Sequence, residues 1–187
     1  MNTKINTKVD SAIETTAAQL KQQIERLFRG SLHIRHVDAG SCNGCESEIK
    51  MLTNPYYDMH RLGIFFTPAP RHADLLLVTG AMTRAMVDPL RQTYEAMPEP
   101  RLVVAVGACA CSGGIFANSP FTLGGIEHVL PVDVFIPGCP PSPLTLLHGL
   151  LLAVGRVEQK MYESTVTLTV QHPDRLLIPH KSKKEAL

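Results

Sequence analysis

Two runs of consecutive apolar residues constrain the fold of this chain most strongly. Residues 73–79 (ADLLLVT) and 102–106 (LVVAV) are short and almost without polar side chains. A strand with one solvated face alternates apolar and polar residues, whereas a strand buried on both faces is apolar throughout. Both runs are therefore predicted to be internal strands of a parallel sheet that helices cover on both faces.

Other strand and helix signals alternate with these runs. Residues 32–37 and the shorter segment 132–136 are predicted to be two further strands. The dipeptides Asp88-Pro89 and Ser142-Pro143 are typical of a helix N-cap followed by proline at the first helical position. Strands that alternate with helices indicate an α/β fold, and we expect a flavodoxin-like doubly wound parallel sheet of about four strands.

The N-terminal part of the chain has a different pattern. Apolar residues recur every three or four positions over residues 10–29 and predict an amphipathic helix that ends at Gly30. Such a helix packs either on its own domain or on a partner, and the pattern leaves both open. We accordingly divide the chain into an N-terminal helical extension (1–31), a flavodoxin-like domain (32–160) and a C-terminal extension with a basic tail (161–187).

Composition excludes several functional classes. Hydrophobic residues make up 44% of the 187 residues and charged residues 19%, which excludes a disordered chain, and the net charge of +1 gives no basic excess for nucleic acid. The first twenty residues have no apolar signal-peptide core, and the longest nearly apolar stretch, 144–154, is shorter than the ~20 residues of a membrane helix. We expect a cytosolic protein, in which cysteines bind metal or catalyse rather than form disulfides.

All five cysteines follow predicted strands. Cys42 and Cys45 follow the first strand, Cys109 and Cys111 follow the second apolar run, and Cys139 follows the last strand. The carboxyl ends of parallel strands meet at one edge of a sheet, where open α/β sheets bind ligands. We therefore expect four or five thiols in one crevice, and four thiolates are the usual ligands of a [4Fe–4S] cluster.

Three alternatives to a cluster remain open at this point. A structural zinc site usually has two compact C-x-x-C pairs, but the chain has only Cys42 and Cys45 in that spacing. A thioredoxin-like redox pair would need these two residues alone and would leave the other cysteine loops unexplained. Ordinary buried cysteines are the third alternative. The spacing favours an iron–sulfur cluster without excluding the others.

Six short segments carry a family resemblance: residues 36–48 (HVDAGSCNGCESE), 54–58 (NPYYD), 70–74 (PRHAD), 78–80 (VTG), 107–114 (GACACSGG) and 137–141 (PGCPP). Together they resemble the small subunit of membrane-bound, energy-converting [NiFe] hydrogenases of the formate hydrogenlyase type, a family related to the 20-kDa subunit of respiratory complex I. The resemblance extends over about residues 32–160. The complex I subunit typically has two adjacent cysteines at the first site, whereas Cys42 and Cys45 are two residues apart, as in the hydrogenases.

The resemblance implies one [4Fe–4S] cluster with four ligands, Cys42, Cys45, Cys109 and Cys139, and no catalytic residue; Cys111 lies outside that set. It implies an oxidoreductase subunit, inactive alone, that passes electrons between a ferredoxin-like subunit and the nickel–iron site of a large subunit. We expect it on the cytoplasmic side of the membrane, as a peripheral partner of an integral membrane subunit. The alternative is a complex I-like quinone- or sulfur-reducing module with the same cluster and no nickel.

Polar residues near the cysteines are candidates to tune the cluster potential or to relay protons. They are His36, Glu46 and Glu48, and Glu48 is favoured because a glutamate just after the cysteine pair is a feature of the superfamily. Arg71 is expected to pair with an acidic group of a partner. Three other histidines are expected to be structural: His60, His72 and His148. Two apolar residues are expected to contact the large subunit: Met51 and Phe116.

Overall fold

The two apolar runs pair with each other at the centre of a parallel sheet. The computed structural model describes residues 3–171, and the side chains of residues 11, 13–157, 159 and 160. The strands are β1 Leu32–Asp38, β2 Ile64–Phe66, β3 Leu75–Thr79, β4 Leu102–Val106 and β5 Val134–Ile136. Their order is β2-β1-β3-β4-β5, and all neighbours pair in parallel. This order is that of flavodoxin, so the predicted fold class is confirmed.

Helices cover both faces of the sheet. They are α1 Thr3–Phe28, α2 Gly44–Met51, α3 Val87–Glu95, α4 Gly107–Ser112 and α5 Pro143–Gln171. Leu75 and Leu77 of β3 pack in one apolar cluster with residues of α1, α2 and α5, and Leu76 and Val78 pack in a second cluster with residues of α3 and α4. Because successive side chains point to opposite faces, every position of β3 is buried, which explains its unbroken apolar sequence.

The sheet has five strands, whereas about four were predicted, and β2 is the additional strand. It pairs with the start of β1 at the edge of the sheet, with Leu32 opposite Ile64. Ile64 is buried, but Phe65 and Phe66 are each 38% exposed. The three residues of β2 are neither alternately nor continuously buried, so their sequence has no pattern from which a strand could be predicted. Their pairing depends on the edge of β1 beside them.

Helix α1 packs on its own domain, so the first of the two alternatives for this helix is correct. Leu20 and Ile24 are fully buried in the same cluster as Leu147 of α5. The Thr16 hydroxyl oxygen lies 3.4 Å from Nε2 of His148, which gives this histidine a structural position between the two helices.

The two predicted helix starts have different outcomes. Helix α5 begins at Pro143 as predicted, and the Ser142 hydroxyl accepts a hydrogen bond from the Thr145 backbone N–H at 3.4 Å. Helix α3 begins at Val87, so Asp88 is not the N-cap but lies in the first turn. A carboxylate in the first turn still interacts favourably with the helix dipole, so the same sequence signal is compatible with an earlier start.

Helix α5 continues to Gln171, and the rest of the predicted C-terminal extension with its basic tail, residues 172–187, lies outside the described residues. Within the described part of the chain, no helix is both long enough and apolar enough to cross a lipid bilayer.

A partly buried ion pair ties α5 to the amino edge of the sheet. Oδ2 of Asp133, whose side chain is 13% exposed, accepts hydrogen bonds from the Val103 backbone N–H at 2.8 Å and from Nζ of Lys160 at 2.7 Å. Lys160 also donates to the carbonyl oxygen of Arg101 at 2.8 Å. These contacts join β4, β5 and α5 at the edge opposite to the cysteine loops.

We expect Asp133→Ala to lower the free energy of unfolding by about 2 kcal/mol, because it leaves two donors without their shared acceptor. Glu25→Ala is the control, since the Glu25–Lys21 pair at 4.0 Å is exposed and should contribute less than about 0.5 kcal/mol. Pulse proteolysis in urea measures both variants. Equal losses in the two variants would contradict the stabilising role of the Asp133 contacts.

Candidate metal centre

A small cavity at the carboxyl edge of the sheet brings four thiols together. It has a volume of about 140 Å³ and is lined by the four predicted site cysteines with neighbouring residues of their loops: Ser41, Cys42, Gly44, Cys45, Gly80, Ala108, Cys109, Gly138, Cys139 and Pro140. The lining comes from the segments that follow β1, β3, β4 and β5. Parallel pairing of these strands therefore collects thiols that are far apart in sequence.

The loop after β1 is shaped by local hydrogen bonds. Oδ1 of Asp38 accepts from the backbone N–H groups of Gly40 at 2.8 Å and Ser41 at 2.7 Å. The Ser41 hydroxyl then accepts from the Asn43 N–H at 3.1 Å, and Asn43 is left-handed with φ of 65°. This turn starts α2 at Gly44, so Cys45 lies in the first turn of the helix and Cys42 in the loop before it.

The glycine-rich segment after β4 forms the short helix α4, although glycines usually indicate a loop. Left-handed glycines delimit the helix, Gly107 with φ of 88° and Gly113 with φ of 85°. A Cβ on Gly107 would lie 2.6 Å from Sγ of Cys45, and one on Gly114 would lie 3.0 Å from Sγ of Cys109. Glycine thus allows the backbone to approach these sulfur atoms closely.

Cys139 is joined to α4 through the backbone. The N–H of Ala108, next to Cys109, donates to the carbonyl oxygen of Gly138 at 2.7 Å. Gly138 is itself left-handed, with φ of 145°. The Cys109 and Cys139 loops are therefore held together directly.

Burial and neighbouring groups oppose the ionisation of two of the thiols, Cys45 and Cys109. Burial, the Glu46 carboxylate and the thiols of Cys109, Cys42 and Cys139 raise the pKa of Cys45 to about 11. Burial, followed by Cys139 and Cys42, also raises the pKa of Cys109. Four thiolates in this cavity therefore need a positively charged occupant, since proximity and burial both disfavour bare negative charge.

Cys111 points away from this cavity. Two residues of α-helix rotate a side chain by about 200°, so Cys111 lies on the opposite side of α4 from Cys109. Its thiol donates to the Ala105 carbonyl oxygen at 3.7 Å, packs against the second apolar cluster and has a pKa raised by burial. Among the described residues, no group of three or more His, Cys, Asp or Glu side chains is arranged to hold a single metal ion.

A polar network lies beside the Cys45 end of the cavity. Nε2 of His36 is 2.9 Å from the Thr79 hydroxyl oxygen, and this hydroxyl donates a short hydrogen bond to Oε1 of Glu46. Burial lowers the pKa of His36, while Glu46 and Asp38 act in the opposite direction. Glu48, which the sequence favoured among the polar candidates, is half-buried and takes no part in this network.

Thr79 is the member of the network that sequence analysis missed. It is the one polar residue of β3 and is fully buried. A hydroxyl at the end of an otherwise apolar strand, at the ligand-binding edge of the sheet, was the available signal.

The other predicted residues lie outside the cavity lining. His60 contacts the ring of Phe65 at a centroid distance of 5.4 Å, which is a structural contact. Arg71 and His72 are exposed, and the pairing of Arg71 with a partner stays a prediction.

Exposed apolar side chains follow the helix that contains Cys109. Ile115 is 89% and Phe121 77% exposed, and both belong to the segment that follows α4. The predicted contact residues Met51 and Phe116 are also exposed.

Comparisons with known proteins agree with this fold. Residues 42–153 match the family described as NADH ubiquinone oxidoreductase, 20 Kd subunit. Formate hydrogenlyase subunit 7 of Escherichia coli is 45% identical over 154 residues, 82% of this chain and 59% of that protein. A probable membrane-bound hydrogenase subunit of Pyrococcus furiosus is 44% identical over 145 residues, 78% of this chain and 84% of that protein. A chain of an archaeal membrane-bound sulfane sulfur reductase matches with a TM-score of 0.61 and 32% identity, over 79% of this chain and 85% of that chain.

The fold and the site together define a class of protein: a doubly wound α/β domain with a thiol-lined cavity at its carboxyl edge. The chain belongs to the family of the 20-kDa subunit of NADH ubiquinone oxidoreductase. Its relatives include hydrogenase subunits of the formate hydrogenlyase and membrane-bound types, so the resemblance recognised in the sequence is confirmed. The chain is thus a hydrogenase-related subunit of the complex I 20-kDa type, and it spans 59% of the length of the Escherichia coli relative.

We expect Gly107→Ala to lower the free energy of unfolding by roughly 3 kcal/mol, because a left-handed alanine is strained and its methyl group overlaps Sγ of Cys45. Gly124→Ala is the matched control, since Gly124 has φ of 87° and a Cβ there would meet only the His128 ring, at an ordinary contact distance of 3.5 Å, and it should cost only about 1–2 kcal/mol. Pulse proteolysis in urea compares the two variants. Similar losses of unfolding free energy in the two variants would show that the close contact between Gly107 and Cys45 does not contribute to stability.

Proposed function

We propose that this chain is the electron-transfer subunit of a membrane-bound [NiFe] hydrogenase complex and binds one [4Fe–4S] cluster through Cys42, Cys45, Cys109 and Cys139. The observation that supports this most directly is the single cavity lined by these four thiols from three separate loops. When bound, such a cluster accepts and donates one electron at a time.

The residues around the cavity fit such a cluster. All four candidate donors are thiols, and glycines next to two of the sulfur atoms leave room for a bulky inorganic core. Backbone N–H groups of α2 and α4 lie close to the cysteines, and hydrogen bonds to sulfur tune cluster potentials. The raised pKa of Cys45 means that this thiol is protonated near neutral pH without a bound metal, so ligation has to release a proton from it.

The proposed partners follow from the chemistry of one cluster. Four cysteines line the cavity and Cys111 lies outside it, which is too few thiols for both a [4Fe–4S] cluster and a four-cysteine nickel site. The resemblance to hydrogenase small subunits implies that the nickel–iron site lies on a large subunit and that electrons enter through a ferredoxin-like subunit. The exposed apolar residues Ile115 and Phe121 support a contact surface near the cysteine cavity. We place the chain on the cytoplasmic side of the membrane as a peripheral subunit next to an integral membrane subunit, supported by the membrane-bound hydrogenase relative.

The division of the chain is part of the same proposal. Residues 32–160 would form the [4Fe–4S]-binding domain, because all cavity-lining residues fall within them. Residues 1–31 would form the N-terminal helical extension, and residues 161–187 the C-terminal extension.

A second candidate function has an observation in its favour. The similarity to a chain of a sulfane sulfur reductase, at 32% identity, supports a quinone- or sulfur-reducing module with the same cluster and no nickel. The family description, which names an NADH ubiquinone oxidoreductase subunit, points in the same direction.

The first experiment on this proposal replaces each cysteine by serine in the intact complex. Changing Cys42, Cys45, Cys109 or Cys139 should reduce the EPR signal of the reduced cluster at least about tenfold, because even indirect ligand contacts change metal affinity 10–100-fold. Cys111→Ser is the control and should retain the signal. Loss of the cluster in Cys111→Ser with retention in Cys109→Ser would reverse the ligand assignment, and a colourless wild-type protein containing zinc would exclude the cluster.

The second experiment distinguishes the two candidate functions. We expect a complex purified through a tag on this chain to contain nickel and to reduce methyl viologen with hydrogen, and the chain purified alone to show no such activity. Iron without nickel, together with reduction of a quinone or sulfane sulfur, would establish the second function instead. Hydrogen–viologen activity of the isolated chain would contradict both.

A further inference from the structure

Thr79 occupies a position between the first two cysteine loops. It is the last residue of β3 and is fully buried. Its backbone carbonyl accepts a hydrogen bond from the Ala39 N–H at 2.8 Å, just before the loop with Cys42. On its other side it pairs with Val106, the residue that precedes α4 and Cys109. The backbone of Thr79 thus touches the entrances of both loops.

The side chain of Thr79 contacts the far end of the first loop. Its hydroxyl donates to Oε1 of Glu46, which follows Cys45 directly. A hydroxyl has one proton, so the contact of its oxygen with Nε2 of His36 at 2.9 Å requires His36 to donate. The chain of donors therefore runs from His36 through Thr79 to Glu46.

The carboxylate of Glu46 depends on this hydroxyl. Its side chain is 13% exposed, and Oε1 is 3.7 Å from Nε2 of His36, too far for a good hydrogen bond. Its second oxygen, Oε2, is buried and has no hydrogen-bond partner among the described residues. Removing the Thr79 hydroxyl would leave a largely buried carboxylate beside Cys45 without its one short donor, which favours rotation of the first turn of α2 toward water.

We propose that Thr79 is a positioning residue for the iron–sulfur cluster. Its backbone carbonyl binds Ala39 and its hydroxyl binds Glu46, so the two ends of the loop with Cys42 and Cys45 are held at a fixed position relative to the helix that contains Cys109. The inference rests on the proposed function, because it concerns a cluster bound by these thiols. Thr79 contacts no cluster ligand, and it acts through Ala39, Val106 and Glu46.

The test compares Thr79→Val, Thr79→Ser and Thr93→Val in the intact complex, purified through a tag on this chain. The measured quantities are iron per complex, the EPR line shape of the reduced cluster and the rate at which an iron chelator removes iron. Thr93→Val is the matched control, since the Thr93 hydroxyl donates only to the Pro89 carbonyl oxygen on α3, far from the cavity. Asp133→Ala controls for a general loss of stability at the opposite edge of the sheet.

We expect Thr79→Val to lose iron roughly tenfold faster than the wild type, which corresponds to one lost hydrogen bond to a charged group, and to change the EPR line shape. Thr79→Ser, which keeps the hydroxyl, should restore both, and the Thr93 and Asp133 variants should keep the wild-type line shape. Wild-type behaviour of Thr79→Val, or a Thr79→Ser variant that behaves like Thr79→Val, would overturn the inference. A wild-type complex without a cluster would overturn the proposed function instead.

Variants of Glu46 keep the inference testable if Thr79→Val prevents assembly. Glu46→Gln retains an oxygen that accepts from Thr79 and should hold iron like the wild type, whereas Glu46→Ala should lose it as Thr79→Val does. The double variant Thr79→Val with Glu46→Ala should lose iron no faster than either single variant, since both remove the same contact. Equal behaviour of the Gln and Ala variants, or additive losses in the double variant, would contradict the role of this hydrogen bond.

Discussion

The parallel pairing of β3 with both of its neighbours is the constraint on which the rest of the structure depends. Asp38 lies opposite Thr79, and Thr79 lies opposite Val106, so β1, β3 and β4 end level with one another. The first two cysteine loops therefore start on either side of the end of β3, although the chain between them includes two α-helices and three strands. The alignment of these strand ends is energetically favoured, because a shift of the strand pairing by one residue would turn the buried side chains of β3 toward the wrong apolar cluster.

Closeness of the thiols creates an electrostatic problem that the fold itself does not solve. Burial and neighbouring groups raise the pKa of Cys45 to about 11, so this thiol is neutral near pH 7 unless a cation binds to it. The proposed iron–sulfur cluster would supply the missing positive charge and convert repulsion among thiolates into ligation. On this view folding collects the ligands and the occupant stabilises their charged form, which couples cluster binding to the stability of the whole carboxyl edge.

The parts of the fold that could be predicted are those in which burial on both faces leaves an unbroken sequence pattern. β3 and β4 have that pattern, and locating their ends was enough to group the cysteine loops. β2 has no such pattern, since Phe65 and Phe66 are partly exposed at the sheet edge. Helix α4 was hidden because glycines normally indicate a loop, whereas here Gly107 and Gly113 delimit a helix. The preference for Glu48 over Glu46 came from family resemblance, which does not determine which carboxylate turns inward toward Thr79, and the role of Glu48 stays a prediction.

The two edges of the sheet differ in a way that bears on how such a subunit works. At the amino edge, Asp133, Lys160 and the backbone of β4 satisfy one another within the chain. At the carboxyl edge, Cys42 and Cys139 are exposed, Ile115 and Phe121 extend into solvent, and Oε2 of Glu46 has no partner among the described residues. The amino edge thus completes these polar contacts within the chain, whereas the carboxyl edge presents exposed thiols and exposed apolar side chains. An electron carrier benefits from this arrangement, because a cluster held at an open edge can lie close to a second redox centre on another subunit, whereas a cluster enclosed by its own chain could not.

The apolar side chains around the proposed site would exclude water once a partner covers them. Exclusion of water lowers the dielectric constant around the sulfur atoms. The lower dielectric constant in turn influences the potential at which the cluster accepts its electron.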